Sequence, residues 1–463
     1  MMSTAQRHLP SLCLILLVAT LLVGCGQEDD RVRIRIWHTK DSADRLYLEQ
    51  KVAEYNAQHD DRVVETLYYE TEDLRRVFII ASVGGEGPEI AYTAADDVST
   101  FAVTGATRPL DDVFPESFFD EFAEDGIITY QGERRMIADQ IGSFLAFVYN
   151  KDLMPEPPGT LDLLIAIGQE LTKDLNGDGR PDQYGLTWNY TEPFFFIPFL
   201  TSFGGWVMDE NGNPTLDNAA TAEAVQYVLD LRDEHGIIPR ESDYNTAESL
   251  FKNGAPGSRE PQRAAAIING PWAFGGYTDL DMNIGIARIP YNTETGRWSA
   301  PMVAARGYSI NANVTDEELP YVRDVIEYLT SAEVQTYAAE NLSIVPTRKA
   351  VRMSPVVQDN PLLQASLEQV EVGRAMPLEP QMRQIWDGMR GPYQLVMNGA
   401  VSAEEGARLM QQEVEKRIAD TYLDNSGDTM TMLILPLIGL LLLIAAYIGY
   451  RIWKARRPVE AMA

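Results

Sequence analysis

Five aromatic rings, at Trp37, Tyr190, Phe194, Trp272 and Trp386, fall at the ends of stretches patterned as strands or just beyond them. Carboxylates at Asp41, Asp96, Asp97 and Glu192 fall in comparable places. Rings of this kind stack on apolar C–H faces and carboxylates accept from hydroxyls, so the set suits a neutral, hydroxyl-rich ligand such as a sugar. Any single ring can equally pack a core, and any single carboxylate can be solvated. A second pattern is Asp174-Leu-Asn176-Gly-Asp178-Gly179-Arg180-Pro-Asp182. Oxygen donors at its first, third, fifth and ninth positions, with Gly at the sixth, have calcium-loop spacing. Gly179 permits the bend that would turn alternate side chains toward one cation, and Arg180 would offer its carbonyl. The twelfth position, where an EF-hand carries a bidentate Glu, is Gly185. Structural calcium and a solvated polar turn both remain open.

Other chemistry is thinly represented. The two cysteines lie at 13 and 25, and beyond residue 25 the histidines are His38, His59 and His235, which argues against a histidine metal cluster. There is no Gly-x-Ser-x-Gly elbow and no Walker loop, and among 68 acidic residues no glycosidase-like carboxylate pair stands out. A formal charge of −30 repels phosphate backbones, and no basic stripe interleaved with aromatics offsets it, so nucleic acid is not a partner. No cofactor is required by any of these patterns.

The elements that must hold the rings follow from hydrophobic periodicity. Alternation over 32–37 predicts a strand, followed by a helix over 45–58, a strand over 63–69, a helix over 74–83 and a strand over 88–93. That succession implies an α/β sheet, parallel or mixed. A strand over 141–150 runs into the proline-dense 151–160, where the chain changes lobes. Helices over 161–173, 194–203 and 221–234 and a strand over 183–188 come next. Ala264 to Ile268 is a short apolar run, suited to a strand covered on both faces, and Asn269-Gly-Pro271 breaks it. Trp272 then stands in a strand-end loop, where α/β folds build ligand crevices. Tyr308 to Asn311 reads as a strand, 319–340 as helix with Ser331 as a break, and Pro346 as a second crossing. Two terminal helices, over 380–398 and 402–422, complete the body, the second opened by Ser402 and Glu405 as a capping pair.

Both ends carry membrane signals. Arg7 and His8 precede the apolar run Leu12 to Val23, and Leu22-Val-Gly-Cys25 resembles the bacterial lipobox, which implies removal of 1–24 and lipid attachment at Cys25. Met430 to Tyr450 has no charged residue and is long enough to span as a helix. Four cations follow it, which puts the 451–463 tail in the cytoplasm and the body outside.

In order along the chain, Ile36-Trp37, Gly87-Pro-Glu-Ile90, Val148-Tyr-Asn-Lys-Asp-Leu153, Glu192-Pro-Phe194, Ile268-Asn-Gly-Pro-Trp272, Ser309-Ile-Asn-Ala312 and Gln384-Ile-Trp386 resemble the maltose-binding family of extracellular solute-binding proteins. These are the substrate receptors of sugar-importing ABC transporters. The resemblance implies a two-lobe periplasmic-binding-protein fold of type II with hinge crossings, closing on ligand. It divides the chain into 25–31 as a lipidated spacer, 32–143 with 304–345 as one lobe, and 144–303 with 346–425 as the other, with the 430–450 membrane helix appended. By position, Phe194, Trp272 and Trp386 match aromatic platforms of the maltodextrin site, and Asp41, Asp96 and Glu192 match its polar contacts. The chain departs from that pattern at Thr93, where the family has Trp, at Asp97, where it has Arg, near Ser143, where it is acidic, and at Phe194, where it has Tyr. The ligand class is therefore an oligosaccharide, sugar or polyol. The implied function is a non-enzymatic receptor delivering it to ABC permease subunits from the outer face of the cell membrane. A membrane-bound sensor working through a partner and a glycoside hydrolase are the other readings.

Overall fold

The computed structural model describes residues 31–40, 42–260 and 262–420. The segment before residue 31 with Cys25, the candidate contact Asp41, and the 430–450 stretch with its tail lie outside the described residues. Among the described residues no helix is long and apolar enough to cross a membrane. The expected fold is corrected on that point: among the described residues the architecture is a pair of α/β lobes, and a C-terminal membrane helix is not among their elements.

Strand β1 (Val32–His38) buries Ile34 and Ile36 completely and turns its arginines outward, as the alternation requires. It pairs in parallel with β2 (Arg62–Tyr68) and β3 (Ile90–Ala94). Helices Ser42–Asn56 and Thr71–Val83 make the crossovers that parallel pairing demands. Past β3 the sheet turns antiparallel. β12 (Met302–Ile310) pairs with β3 and with β5 (Glu133–Ser143), and β5 also pairs with β4 (Ile127–Tyr130) and β13 (Val345–Pro346). The pairing of β12 with β5 shifts register between Arg306 and Gly307. A Cβ at Gly307 would lie 2.3 Å from the Ile137 carbonyl oxygen, which explains a glycine inside a long strand.

The apolar stretch 141–150 is two strands rather than one. β5 ends at Ser143, β6 (Ala146–Asn150) belongs to another sheet, and the fully buried Phe144 and Leu145 make the passage. Gly142 lies inside β5 and neither Gly nor Pro stands at 144–145, so periodicity runs through the break. The second sheet is ordered β11 (Ile284–Ala287), β6, β10 (Ala266–Asn269) and β8 (Thr187–Trp188), and a separate parallel pair joins β7 (Gln183–Tyr184) to β9 (Arg263–Ala264). β10 runs antiparallel to β6 and parallel to β8, and all four of its residues are buried.

The remaining chain joins the sheets. Ser331 divides the 319–340 stretch into helices Leu319–Leu329 and Ala332–Leu342, its hydroxyl accepting from the Val334 amide at 3.3 Å. After β13, helix Pro361–Val372 packs on β11. The chain then returns to pair β14 (Arg374–Ala375) in parallel with the start of β12. Helix Met382–Met397 and a helix over 403–420 close the second lobe, Ser402 accepting from the Glu405 amide.

Candidate functional site

Between the lobes lies a cavity of about 290 Å³. From the first lobe, the chain past β1 and β3 and the helix Thr71–Val83 bring Thr39, Asp96 and Arg75 to it. The second lobe presents the N-terminal ends of three helices: Pro193–Ser202 carries Phe194 just after Glu192, Pro271–Thr278 carries Trp272, and Met382–Met397 carries Trp386. Five of the six residues matched by position to the maltodextrin site therefore line one cavity. Asp41 lies outside the described residues.

The rings form one wall. Phe194 is central, its centroid 6.4 Å from Trp272 and 6.1 Å from Trp386, with interplanar angles of 46° and 72°. All three are half-buried, leaving ring surface for a ligand. Trp272 sits in the first turn of a helix and not in a loop. Pro271 starts that helix, a position where its missing N–H costs nothing, although the Gly-rich sequence reads as a turn. The indole N–H of Trp272 donates to the Tyr244 hydroxyl at 3.1 Å, and its ring meets Phe195 edge-on at 6.4 Å and 81°. A Cβ on Gly270 would come within 2.1 Å of the Trp272 ring, so the glycine permits the ring to lie back over the chain. Trp37 and Tyr190 are elsewhere. Trp37 packs against Tyr69 at 5.0 Å, and buried Tyr190 donates to the Pro239 carbonyl at 3.0 Å, its phenol pushed up to about 12 by burial.

The polar groups are held in pairs. Glu192 accepts from Arg390 at 2.9 and 3.0 Å, and Arg390 reaches Asp387 at 3.2 Å. Arg383 meets Asp387 at 2.9 Å. Residues 383, 386 and 390 recur at spacings that share one helix face, a signal present in the sequence around Trp386 that the reading of aromatic rings passed over. Asp96 stands 3.5 Å from Arg75, which also pairs with Asp97. Asp97 is fully buried under the cavity wall and so is not a surface acceptor. Arg306 enters from β12 and donates to the Thr39 carbonyl and hydroxyl at 3.0 and 2.7 Å.

Beneath this wall the Lys40 ammonium, 1% exposed, lies 3.2 Å from Asp139 and 4.2 Å from the Tyr92 ring centroid. The Tyr92 and Tyr308 hydroxyls donate to Asp139 at 2.9 and 3.3 Å. Two residues before Lys40, His38 is also 1% exposed, and burial, reinforced by Lys40, pulls its imidazole down to about 4. The fold holds a neutral ring whose ordinary value is about 6.5. As pH falls the unfolded chain takes up the proton first, so the contribution is full above about 6.5 and is lost toward 4. Between pH 7 and 5 the loss is about 2 kcal/mol. Denaturant titrations of His38→Gln should show a shallower fall in stability over that range; identical slopes would clear His38 as the source.

The loop from 174 to 182 is hydrogen-bonded to itself. Asp174 accepts from the Gly177 and Gly179 amides at 2.6 and 2.8 Å, and its carboxyl is held below the usual range by these bonds, the one from Gly179 first. Asp178 accepts from the Arg180 amide. Asp182 takes the Leu175 and Asn176 amides at 2.7 and 2.9 Å. Among the described residues no group of three or more acidic, histidine or cysteine side chains is gathered as a metal site. Gly185 has a packing reason: a Cβ there would come within 2.5 Å of the Gly168 backbone, which leaves no room for a Glu at the twelfth position.

The model of the bacterial extracellular solute-binding protein family matches residues 50–365. The maltotriose-binding protein of Pyrococcus abyssi is 24% identical over 388 residues, 83% of this chain and 81% of that one. The maltodextrin-binding protein MdxE of Bacillus subtilis is 24% identical over 73% of this chain and 79% of its own length. Among solved structures, the maltose/maltodextrin-binding domain MalE of Bdellovibrio bacteriovorus bound to maltotriose superimposes with a TM-score of 0.77 at 39% identity, covering 84% of this chain and all of that domain. The maltotriose-binding protein of Thermus thermophilus, at 21% identity and a TM-score of 0.72, shares the fold. With two α/β lobes, a cleft between them and a family match over most of the body, the chain belongs to the bacterial extracellular solute-binding proteins.

Proposed function

We propose that the chain captures a maltodextrin-type oligosaccharide in its interlobe cleft and delivers it to an ABC importer, without chemical turnover. The observation that carries the reading is the wall formed by Phe194, Trp272 and Trp386 facing carboxylates and guanidinium groups across one cavity. Such a wall offers flat apolar surface to the C–H faces of successive sugar rings, while Asp96, Glu192 and Arg306 serve their hydroxyls. The likeness to a domain bound to maltotriose supports that ligand class. Phe194 contributes stacking alone, since it lacks a hydroxyl. Calorimetry of the purified protein with maltotriose should give saturable binding, with no shorter sugar released on prolonged incubation. An absence of binding across a maltodextrin series would overturn the receptor reading, and steady product release would turn it into a hydrolase.

We infer that the receptor works outside the membrane, held by lipid on Cys25. Cells expressing Cys25→Ser should shift the protein from the membrane fraction to the soluble one; retention in the membrane would remove the lipid as the anchor.

A further inference from the structure

A second concavity of about 490 Å³ opens beside the cleft and shares Met376 and Glu379 with it. Its volume is in the range of ligand pockets, and neither the aromatic wall nor the paired charges of the cleft reach it. Tyr130 and Gln131 come from the first lobe, at the tip of the β4–β5 hairpin. Gln131 and Gly132 take φ of 51° and 85°, the left-handed pair of a tight two-residue turn, so the tip is held by its own geometry. The Gln131 amide donates to the Tyr130 hydroxyl at 3.4 Å.

The opposite side is built on Trp206 and Arg374. Arg374 is fixed in β14, its amide donating to the Pro301 carbonyl at 2.9 Å. Its guanidinium lies 3.8 Å from the Trp206 ring centroid and, among the described residues, pairs with no carboxylate. A guanidinium laid on an indole is a pre-ordered set of donors that need not be freed from an ion pair before it binds. The half-buried Tyr130 ring, free donors and the Glu379 acceptor repeat the chemistry of the main cleft at a place continuous with it.

We propose that this concavity is a distal subsite for further glucosyl units of a maltodextrin whose other end occupies the aromatic cleft. The inference rests on the maltodextrin reading of that cleft, and ligand length separates the two. Calorimetry with maltotriose and with a six-unit maltodextrin should show Tyr130→Ala and Arg374→Ala each weakening the longer ligand by roughly five- to tenfold, with maltotriose changed by less than about twofold. Unaltered maltotriose affinity also certifies that the variants are folded. In the unmodified protein, hydrogen exchange across 127–143 should slow with the six-unit ligand more than with maltotriose. Equal losses for both ligands, or equal protection by both, would overturn the subsite while leaving the cleft reading intact. Failure of maltotriose to bind the unmodified protein would remove the cleft reading and the subsite with it.

Discussion

Replacing Trp272 by Ala is expected to weaken maltotriose binding by about 2 kcal/mol, roughly thirtyfold. The ring stands on one flank of the aromatic wall, beside the central Phe194 on one side and anchored through its N–H to Tyr244 on the other. A ligand meeting it finds a surface whose orientation is already set, so little ordering remains to be done on binding. Truncation removes the stacking face and frees Phe194 and Phe195 to shift. Trp272→Phe keeps an apolar face but loses the Tyr244 hydrogen bond and should fall between the two. Because Trp272 is only half-buried, the loss of fold stability should be smaller than the loss of affinity. Calorimetry paired with denaturant unfolding separates these effects. Unchanged affinity together with a large stability loss would make the ring a core residue and displace the site.

Asp139→Ala is expected to lower unfolding free energy by about 3–5 kcal/mol, the usual cost of leaving a buried partner charge alone. Asp139 is 8% exposed and receives the Lys40 ammonium and two tyrosine hydroxyls at once. Both tyrosines are held well above the usual phenol range, by burial first and by the Asp139 charge second, so they remain donors. Removing the carboxylate strands a buried cation, leaving it over the Tyr92 ring. The double replacement Lys40→Met with Asp139→Leu should recover much of the loss, since no charge is then left unpaired. Denaturant titration of the three variants tests this, and a loss below about 1 kcal/mol in Asp139→Ala would show that the cluster is more hydrated than its burial implies. The cluster also bears on ligand affinity, because Thr39, adjacent to Lys40, is the residue that receives Arg306 at the cavity.

The sequence made two rings of the aromatic wall legible for a physical reason: Phe194 and Trp272 follow Pro193 and Asn269-Gly-Pro271, punctuation that ends a strand or opens a helix. The α/β alternation of 32–94 was equally readable, because half-buried strands and amphipathic helices have different periods. The passage at 144–145 was not, since a chain crossing between two cores is as apolar as either core. The charged start of β5, Glu133-Arg-Arg, likewise hid a strand whose buried residues begin only at Met136. The arginines of the cleft escaped for another reason. Arg75 and Arg306 come from separate elements, and only the tertiary fold brings them to one cavity. Asp97 shows the converse, a carboxylate that sequence offers to the ligand and the fold spends on Arg75.

Pairing inside the cleft has a consequence for the medium in which the protein works. Arg75, Arg383 and Arg390 are each matched to a carboxylate within the wall, so a neutral sugar meets donors and acceptors whose long-range fields largely cancel. Mobile ions screen fields over about 8–10 Å at physiological ionic strength and have little to act on there. A chain of charge −30 can thus be strongly salt-responsive in its solubility and its encounters with other macromolecules while its hold on ligand is nearly indifferent to salt. On the proposed function, capture from a fluid of changing composition is thereby insulated from its ionic strength.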